Sequence, residues 1–199
     1  MVKPSTVIAP SIPEDLRVVR AMAEQIDGYF VDDEVFRTLM VDTDEGPLRL
    51  DSSLGDVLSR LYRLEAQSAR LGPEQRQELE AARRAIQEAL RTMRSRFVEL
   101  ATREIRSRLT SLSWYLDDCQ DNLRQCRVQY PFEIRNRERI EHLLEALGEA
   151  VSPELRRAVA QVDSRIRDLT EPGEFVWDER IRAIYPRDRF WYLYVLPRA

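Results

Sequence analysis

The sequence predicts a mainly α-helical protein: an elongated helical bundle around one long helix, continuous or broken, with a small β element. The stretch from Pro73 to Tyr130 has no internal proline or glycine and is apolar at helical spacing. The chain has only six glycines, and charged residues make up 33% of it, which is typical of long solvated helices. Turn formers beside alternating apolar residues at 37–51, and an aromatic run at 190–196, predict the β element.

The apolar residues of the long stretch form two stripes that are out of phase. The leading stripe contains Leu79, Ala82, Ile86, Leu90, Met93, Phe97 and Leu100. The trailing stripe contains Ile105, Leu109, Leu112, Leu116, Cys119, Leu123 and Cys126. The five-residue step from Leu100 to Ile105 rotates the apolar face by about 140°. The helix is therefore predicted to face different neighbours at its two ends, or to break near residues 101–104.

The length of this stretch favours self-association. An unbroken helix from Pro73 to Tyr130 would extend about 85 Å, whereas a compact chain of this size spans only about 40–45 Å. Either the helix projects from the body and pairs with a partner, or it divides into two helices near the phase change. We predict an elongated protein that self-associates through the long helix.

The segment 1–72 is predicted to contain acidic helices and a hairpin. Ser11 has the sequence context of an N-cap, and the helix that it begins is predicted to end at Gly28. Residues 37–42 are predicted to pair with residues 47–51, because turn formers separate the two runs. Ser52 or Ser53 is predicted to cap a helix that precedes Gly72-Pro73.

The segment 73–170 is predicted to be the bundle around the long helix, which Pro131 ends. Two further helices follow Pro131, the first over about residues 132–148 and the second capped at Ser152-Pro153. The aromatic segment 171–199 is predicted to pack on the rest, so that the three segments form one structural unit. Its run at 190–196 is predicted to be a buried strand that joins the hairpin.

Composition and cysteine spacing predict a cytoplasmic protein with no membrane partner. No apolar segment approaches the 18 residues of a spanning helix, and the apolar run within residues 1–10 is too short for a secretory signal. Cys119 and Cys126 would lie about 10 Å apart along one helix, beyond the reach of an intrachain disulfide. We interpret them as small core residues in a reducing compartment, the alternative being contacts or cross-links between chains.

The residues for most catalytic sites are missing. His142 is the only histidine, and its helix has an apolar face, so we interpret it as a surface or boundary residue rather than a base or metal ligand. The chain contains neither of the glycine-rich phosphate loops. We therefore predict no cofactor and lean towards a protein that is not an enzyme.

One arrangement of carboxylates could nevertheless hold magnesium. Asp118 and Asp121 are three residues apart on the long helix, and Glu138 and Glu141 are three apart on the next. Such paired acidic helices resemble those of all-helical nucleotide pyrophosphohydrolases, which implies a metal-dependent nucleotide hydrolase. The usual order in that group, Glu-x-x-Glu followed by Glu-x-x-Asp, is not the order in this chain.

Charge is divided unevenly along the chain. Residues 14–56 contain twelve acidic residues and four arginines, whereas residues 83–108 contain eight arginines and three glutamates. The arginine-rich helix could contact nucleic acid phosphates, be covered by the acidic segment of its own chain or a partner, or be a solvated face. The candidate contact residues are Arg84, Arg91, Arg96 and Arg103.

The aromatic residues of segment 171–199 have two interpretations. They could form an interface, because aromatic anchors are enriched at interface centres, or they could be core. The candidate interface residues are Trp177, Trp191, Tyr192 and Tyr194.

Three functions follow from these patterns. The leading hypothesis is a non-enzymatic helical interaction or scaffold protein that pairs with a second copy or with another helical protein. The first alternative is a nucleic-acid-associated protein that uses the arginines of residues 83–108. The second is an all-α metal-dependent nucleotide hydrolase.

Overall fold

A computed structural model of the chain describes residues 11–43 and 46–198. The protein is mainly helical with small antiparallel β pairings, which confirms the predicted class. The interpretation of residues 1–10 lies outside the described residues. The described chain forms two compact units, residues 11–104 (the N-terminal unit) and residues 105–198 (the C-terminal unit). The predicted three-segment organisation stays a prediction.

The N-terminal unit begins with two short helices rather than the one predicted. Helix α1 spans Ile12–Glu24, and Ser11 caps it by accepting a hydrogen bond from the Glu14 amide at 3.4 Å. The backbone leaves helical geometry at Gln25, and α2 spans Ile26–Val31. The predicted end at Gly28 is wrong, because this glycine lies within α2.

The predicted hairpin is confirmed. Strands β1 (Arg37–Thr43) and β2 (Gly46–Ser52) pair antiparallel. Leu39 and Val41 of β1 are buried. The hairpin leads directly into α3, Leu54–Ala66, whose N-cap is Ser53.

The predicted long helix is interrupted twice and consists of three helices. They are α4 (Pro73–Thr92), α5 (Arg94–Asp121) and α6 (Leu123–Glu133). Of the two alternatives at residues 101–104, the break is wrong and the continuous helix is confirmed, because α5 spans these residues. The phase change is nevertheless meaningful: the boundary between the two compact units falls between residues 104 and 105, where the stripe rotates.

The two interruptions differ in severity. At Met93 the backbone has ψ of 35°, yet its amide still bonds the Ala89 carbonyl and its carbonyl still accepts from Phe97, so α4 and α5 meet at a kink. At Asn122 the backbone leaves helical geometry, with φ of −149° and ψ of 81°, and a new helix begins. Met93 and Leu123, both predicted to face inward, are 37% and 39% exposed because each adjoins an interruption.

The C-terminal unit continues with α7 (Arg135–Leu147) and α8 (Pro153–Leu169). Pro131 lies inside α6 and does not end it, since the helix continues to Glu133. A proline removes one amide donor from a helix, and here this happens within the last turn. The Pro131 carbonyl accepts a hydrogen bond from the Trp177 indole at 2.8 Å.

The predicted joining of the 190–196 run to the hairpin is wrong. Residues Trp191–Tyr194 form a turn of 3₁₀ helix, and only Val195–Pro197 (β4) is a strand. Its partner is β3, Thr170–Pro172, which directly follows α8. This second ladder is separate from the hairpin in sheet topology.

Candidate functional site

An open apolar groove lies between α1–α2 and α4 in the N-terminal unit. Its apolar lining comes mostly from alanines, namely Ala23, Ala81, Ala82, Ala85 and Ala89. Two adjoining cavities of about 350 Å³ and 590 Å³ share Ala23 and Ala85, so they are parts of one depression, here called the α1–α4 groove. Short side chains at this interface leave room that larger residues would fill.

Local sequence explains where the groove opens. The core face of α4 carries Leu79 and Ile86, and Ala81 and Ala85 lie one helical turn apart on the side next to it. At one end of the groove, Val31 of α2 is 73% exposed and Met93 is 37% exposed. Large exposed apolar side chains beside an apolar depression are typical of interaction sites.

The rim of the groove is acidic. Among the described residues that line it are the four carboxylates of Glu24, Asp27, Glu78 and Glu88 and one guanidinium, that of Arg20. Arg20 pairs with Glu78 at 3.2 Å.

Two parts of the rim have different surroundings. Hydrogen bonds from Arg91 and Thr92 hold the pKa of Glu88 below its ordinary value, so this carboxyl is ionised at neutral pH. Glu24 and Asp27 are exposed and make no side-chain hydrogen bond or ion pair with the residues that the structure describes.

Three of the four candidate arginines bind carboxylates of their own unit. Arg91 pairs with Glu88, while Arg96 and Arg103 both contact Asp33 Oδ1, at 2.7 Å and 2.6 Å. Asp33 belongs to the acidic segment 14–56, so this pairing fits the interpretation in which that segment covers the arginines. Arg84 is exposed, and no partner for it is found among the described residues.

Asp33 itself adopts an uncommon backbone conformation. Its φ is 57°, and it is the one non-glycine residue with positive φ in the described chain. Aspartate tolerates this region better than most residues, at a cost of about 1 kcal/mol. The loop after α2 is therefore held in a strained conformation in which the Asp33 carboxylate reaches two arginines.

The four candidate metal-binding carboxylates have separate surroundings. Asp118 and Asp121 are exposed on α5, whereas Glu138 is buried against His142, at 2.8 Å. Glu141 pairs with Arg137 and Arg189. Among residues 11–43 and 46–198, no group of three or more histidine, cysteine, aspartate or glutamate side chains could hold a metal ion.

His142 is buried, so its interpretation as a surface or boundary residue is wrong. It is 3% exposed, and its ring packs 5.9 Å from that of Phe190. On the same helix, Arg137 is 5% exposed and donates hydrogen bonds to both carboxylate oxygens of Asp163, at 2.7 Å and 3.1 Å. Burial lowers the pKa of Arg137, but its hydrogen bonds to Asp163 outweigh this and leave the pKa above the ordinary value.

Most of the candidate interface aromatics lie in the core of the C-terminal unit. Tyr192 is 0% exposed, and Trp177 and Tyr194 are also buried. Trp191 is half-buried, and the Arg167 guanidinium stacks 3.9 Å from its ring centre. The aromatic residues therefore fix the C-terminal segment within its own unit.

The structure contains a disulfide between Cys119 and Cys126, which corrects the prediction that the two are too far apart. Their Cα atoms are 5.0 Å apart because the non-helical residue Asn122 separates α5 from α6. Burial raises the pKa of the Tyr115 phenol, which donates to the Cys126 carbonyl at 2.7 Å. A sequence signal existed: Asn122 followed three residues later by Gln125 matches a helix N-cap.

Comparisons with protein families, with curated proteins and with solved structures find no match for this chain. The groove and its charges are therefore the basis for a functional proposal. Each helix within residues 11–43 and 46–198 is too short or too polar to span a lipid bilayer.

Proposed function

We propose that this protein is a non-enzymatic helical interaction protein that binds a helix in the α1–α4 groove. The observation that supports it is the open alanine-lined depression beside Val31, an apolar side chain that is 73% exposed. Helices commonly bind proteins by laying an apolar face into such a groove. The partner is a second copy of the chain or another helical protein.

Self-association through the long helix remains part of this proposal. The surface that we propose for it is that of α4, and it is supported by the position of Ala81 and Ala85 in the lining of the groove. Sedimentation equilibrium at micromolar concentrations tests it: self-association raises the average mass above the 23.4 kDa of one chain.

A pair of matched variants tests whether the groove is the binding surface. Val31→Asp places a charge at the groove, whereas Val128→Asp places one at an apolar residue of α6 that is similarly exposed, at 66%. We expect only Val31→Asp to weaken association with the partner. Equal effects of the two substitutions would count against the groove.

The cytoplasmic location predicted from the sequence stays a proposal, and the disulfide between Cys119 and Cys126 argues against it. Disulfides are rare in the cytosol, where thiols are kept reduced, and Cys119 and Cys126 are paired in the structure. Thiol trapping in intact cells of the native host tests the location. Two trapped thiols support a reducing compartment, and none supports an oxidising one.

The two alternative functions have direct tests of their own. Nucleic-acid binding at low salt, lost on replacing Arg84, Arg91, Arg96 and Arg103, would support the nucleic-acid alternative. Magnesium-dependent turnover of a nucleotide, lost in Asp118 or Glu138 variants, would support the hydrolase.

A further inference from the structure

From the charge of its rim, we infer that the α1–α4 groove binds a basic amphipathic helix of another protein. This inference rests on the proposed function and names the chemistry of the partner. Three features of the groove support it: its dimensions, its apolar floor and its uncompensated carboxylates.

The dimensions of the groove suit a short helix. Its lining on the α4 side runs from Glu78 to Met93, about 22 Å at about 1.5 Å per residue. A helix of about four turns has this length. The alanines on the floor leave depth for the larger apolar side chains of a partner, such as leucine.

The rim gives the groove its preference for positive charge. Arg20 neutralises Glu78, and Arg91 contacts Glu88, but Glu24 and Asp27 make no ion pair with described residues. Lysines or arginines on the flanks of a bound helix would complement these two carboxylates. Such complementarity favours one partner over another and raises the association rate.

The same charges disfavour pairing of the groove with itself. Two copies related by a twofold axis would bring the Glu24 and Asp27 carboxylates of one copy, which make no ion pair with described residues, towards those of the other. Like charges placed together in an interface are costly. A second copy is therefore a poorer occupant of this surface than a basic helix.

Synthetic peptides test the inference on the full-length chain. One peptide of about 14 residues is a leucine–lysine amphipathic helix, and its control replaces every lysine with glutamate. Binding is measured by fluorescence anisotropy. We expect the lysine peptide to bind at least tenfold more tightly than the glutamate peptide, and to weaken about tenfold when salt rises from about 50 to about 500 mM.

Matched variants separate the rim from general electrostatic attraction. Glu24→Gln with Asp27→Asn removes the two rim charges, and we expect lysine-peptide affinity to fall about tenfold. Asp118→Asn with Asp121→Asn removes the same charge from residues outside the groove, so affinity should change less than about twofold. Equal losses in the two double variants would overturn the inference.

The outcomes distinguish this inference from the proposed function. Equal binding of both peptides, abolished by Val31→Asp, would leave the groove as a helix-binding site but overturn its preference for basic helices. If neither peptide binds and the chain self-associates through Val31, the occupant is a second copy and the inference is overturned. If neither peptide binds and the chain stays monomeric, the proposed function fails as well.

Discussion

Cys119 and Cys126 belong to different helices, α5 and α6, and their disulfide brings the Cα atoms to 5.0 Å. Seven residues along an uninterrupted helix would place these atoms about 10 Å apart. The disulfide therefore requires the interruption of helical geometry at Asn122.

Removing the disulfide should destabilise the protein. Closing so short a loop restricts the unfolded chain, and its loss costs about 2–3 kcal/mol in the chain-entropy treatment. We expect Cys126→Ser to lower the free energy of unfolding by this amount in guanidinium denaturation. A phosphine reductant should bring the wild type to the same level and leave the variant unchanged; a variant as stable as the oxidised wild type would contradict the prediction.

Asn122 should contribute to stability as the cap of α6. Its side chain accepts a hydrogen bond from the Gln125 amide at 3.0 Å. Asn122→Ala should cost about 1 kcal/mol in urea denaturation, because the amide loses its partner. Asn122→Asp keeps an acceptor and is the control: it should stay within about 0.5 kcal/mol of the wild type. Equal losses of unfolding free energy in the two variants would show that the side-chain acceptor does not account for the effect.

Features that local sequence determines were predictable. The N-caps at Ser11, Ser53 and Ser152 accept hydrogen bonds from the amides three residues later. The hairpin follows from its turn formers, and the phase change between Leu100 and Ile105 coincides with the boundary between the units.

Features that depend on distant residues were not predictable in the same way. The β3–β4 pairing joins Thr170 to Pro197, and nothing in either short strand identifies the other. The interruption at Met93 contradicts good helix propensity, which is a weak preference that packing overrides. The groove was missed because alanine is common both in cores and on surfaces, so Ala81 and Ala85 carry no pattern of their own.

Removing one partner from the buried pair of Arg137 and Asp163 should destabilise the protein. Both residues are at most 9% exposed, and two hydrogen bonds join them. Asp163→Ala leaves a buried guanidinium with Glu141, so we expect a loss of about 3 kcal/mol in chemical denaturation. The double variant Arg137→Met with Asp163→Leu should recover at least half of this, since no charge is left unpaired. A loss below about 1 kcal/mol in Asp163→Ala would contradict the argument.

The positive φ of Asp33 predicts different stabilities for two small substitutions at this position. Both Asp33→Gly and Asp33→Ala remove the carboxylate that Arg96 and Arg103 contact. Only glycine adopts a φ of 57° without strain, so Asp33→Gly should be about 1 kcal/mol more stable than Asp33→Ala. Thermal unfolding measures the difference. Identical melting temperatures would show that the loop relaxes when the carboxylate is removed.

Asp178 should make stability depend on pH in the acid range. Hydrogen bonds from the Arg180 side chain and amide lower the pKa of Asp178 from 3.8 to about 2. A lowered pKa stabilises the fold above the unfolded value of 3.8, and this contribution is lost as pH falls towards 2. The partner arginine is 73% exposed, so screening limits the contribution to less than about 1 kcal/mol.

The matched variant for this pH dependence is Asp178→Asn, which keeps an acceptor for the Arg180 amide but removes the charge. Its free energy of unfolding should lie below that of the wild type at about pH 5, and the two curves should converge near about pH 2. Arg180→Ala should reduce the same difference. Parallel curves across this range would contradict the assignment.

Glu104 caps the N-terminus of α3, a helix that lies much earlier in the chain. Its buried carboxylate accepts hydrogen bonds from the Ser53 hydroxyl at 2.6 Å and from the Gly55 amide at 3.1 Å. During synthesis, therefore, the beginning of α3 has no such acceptor until the ribosome has released a further 51 residues. The N-terminal unit can complete this contact only after residue 104 has been made, and contacts between residues so far apart in sequence slow folding.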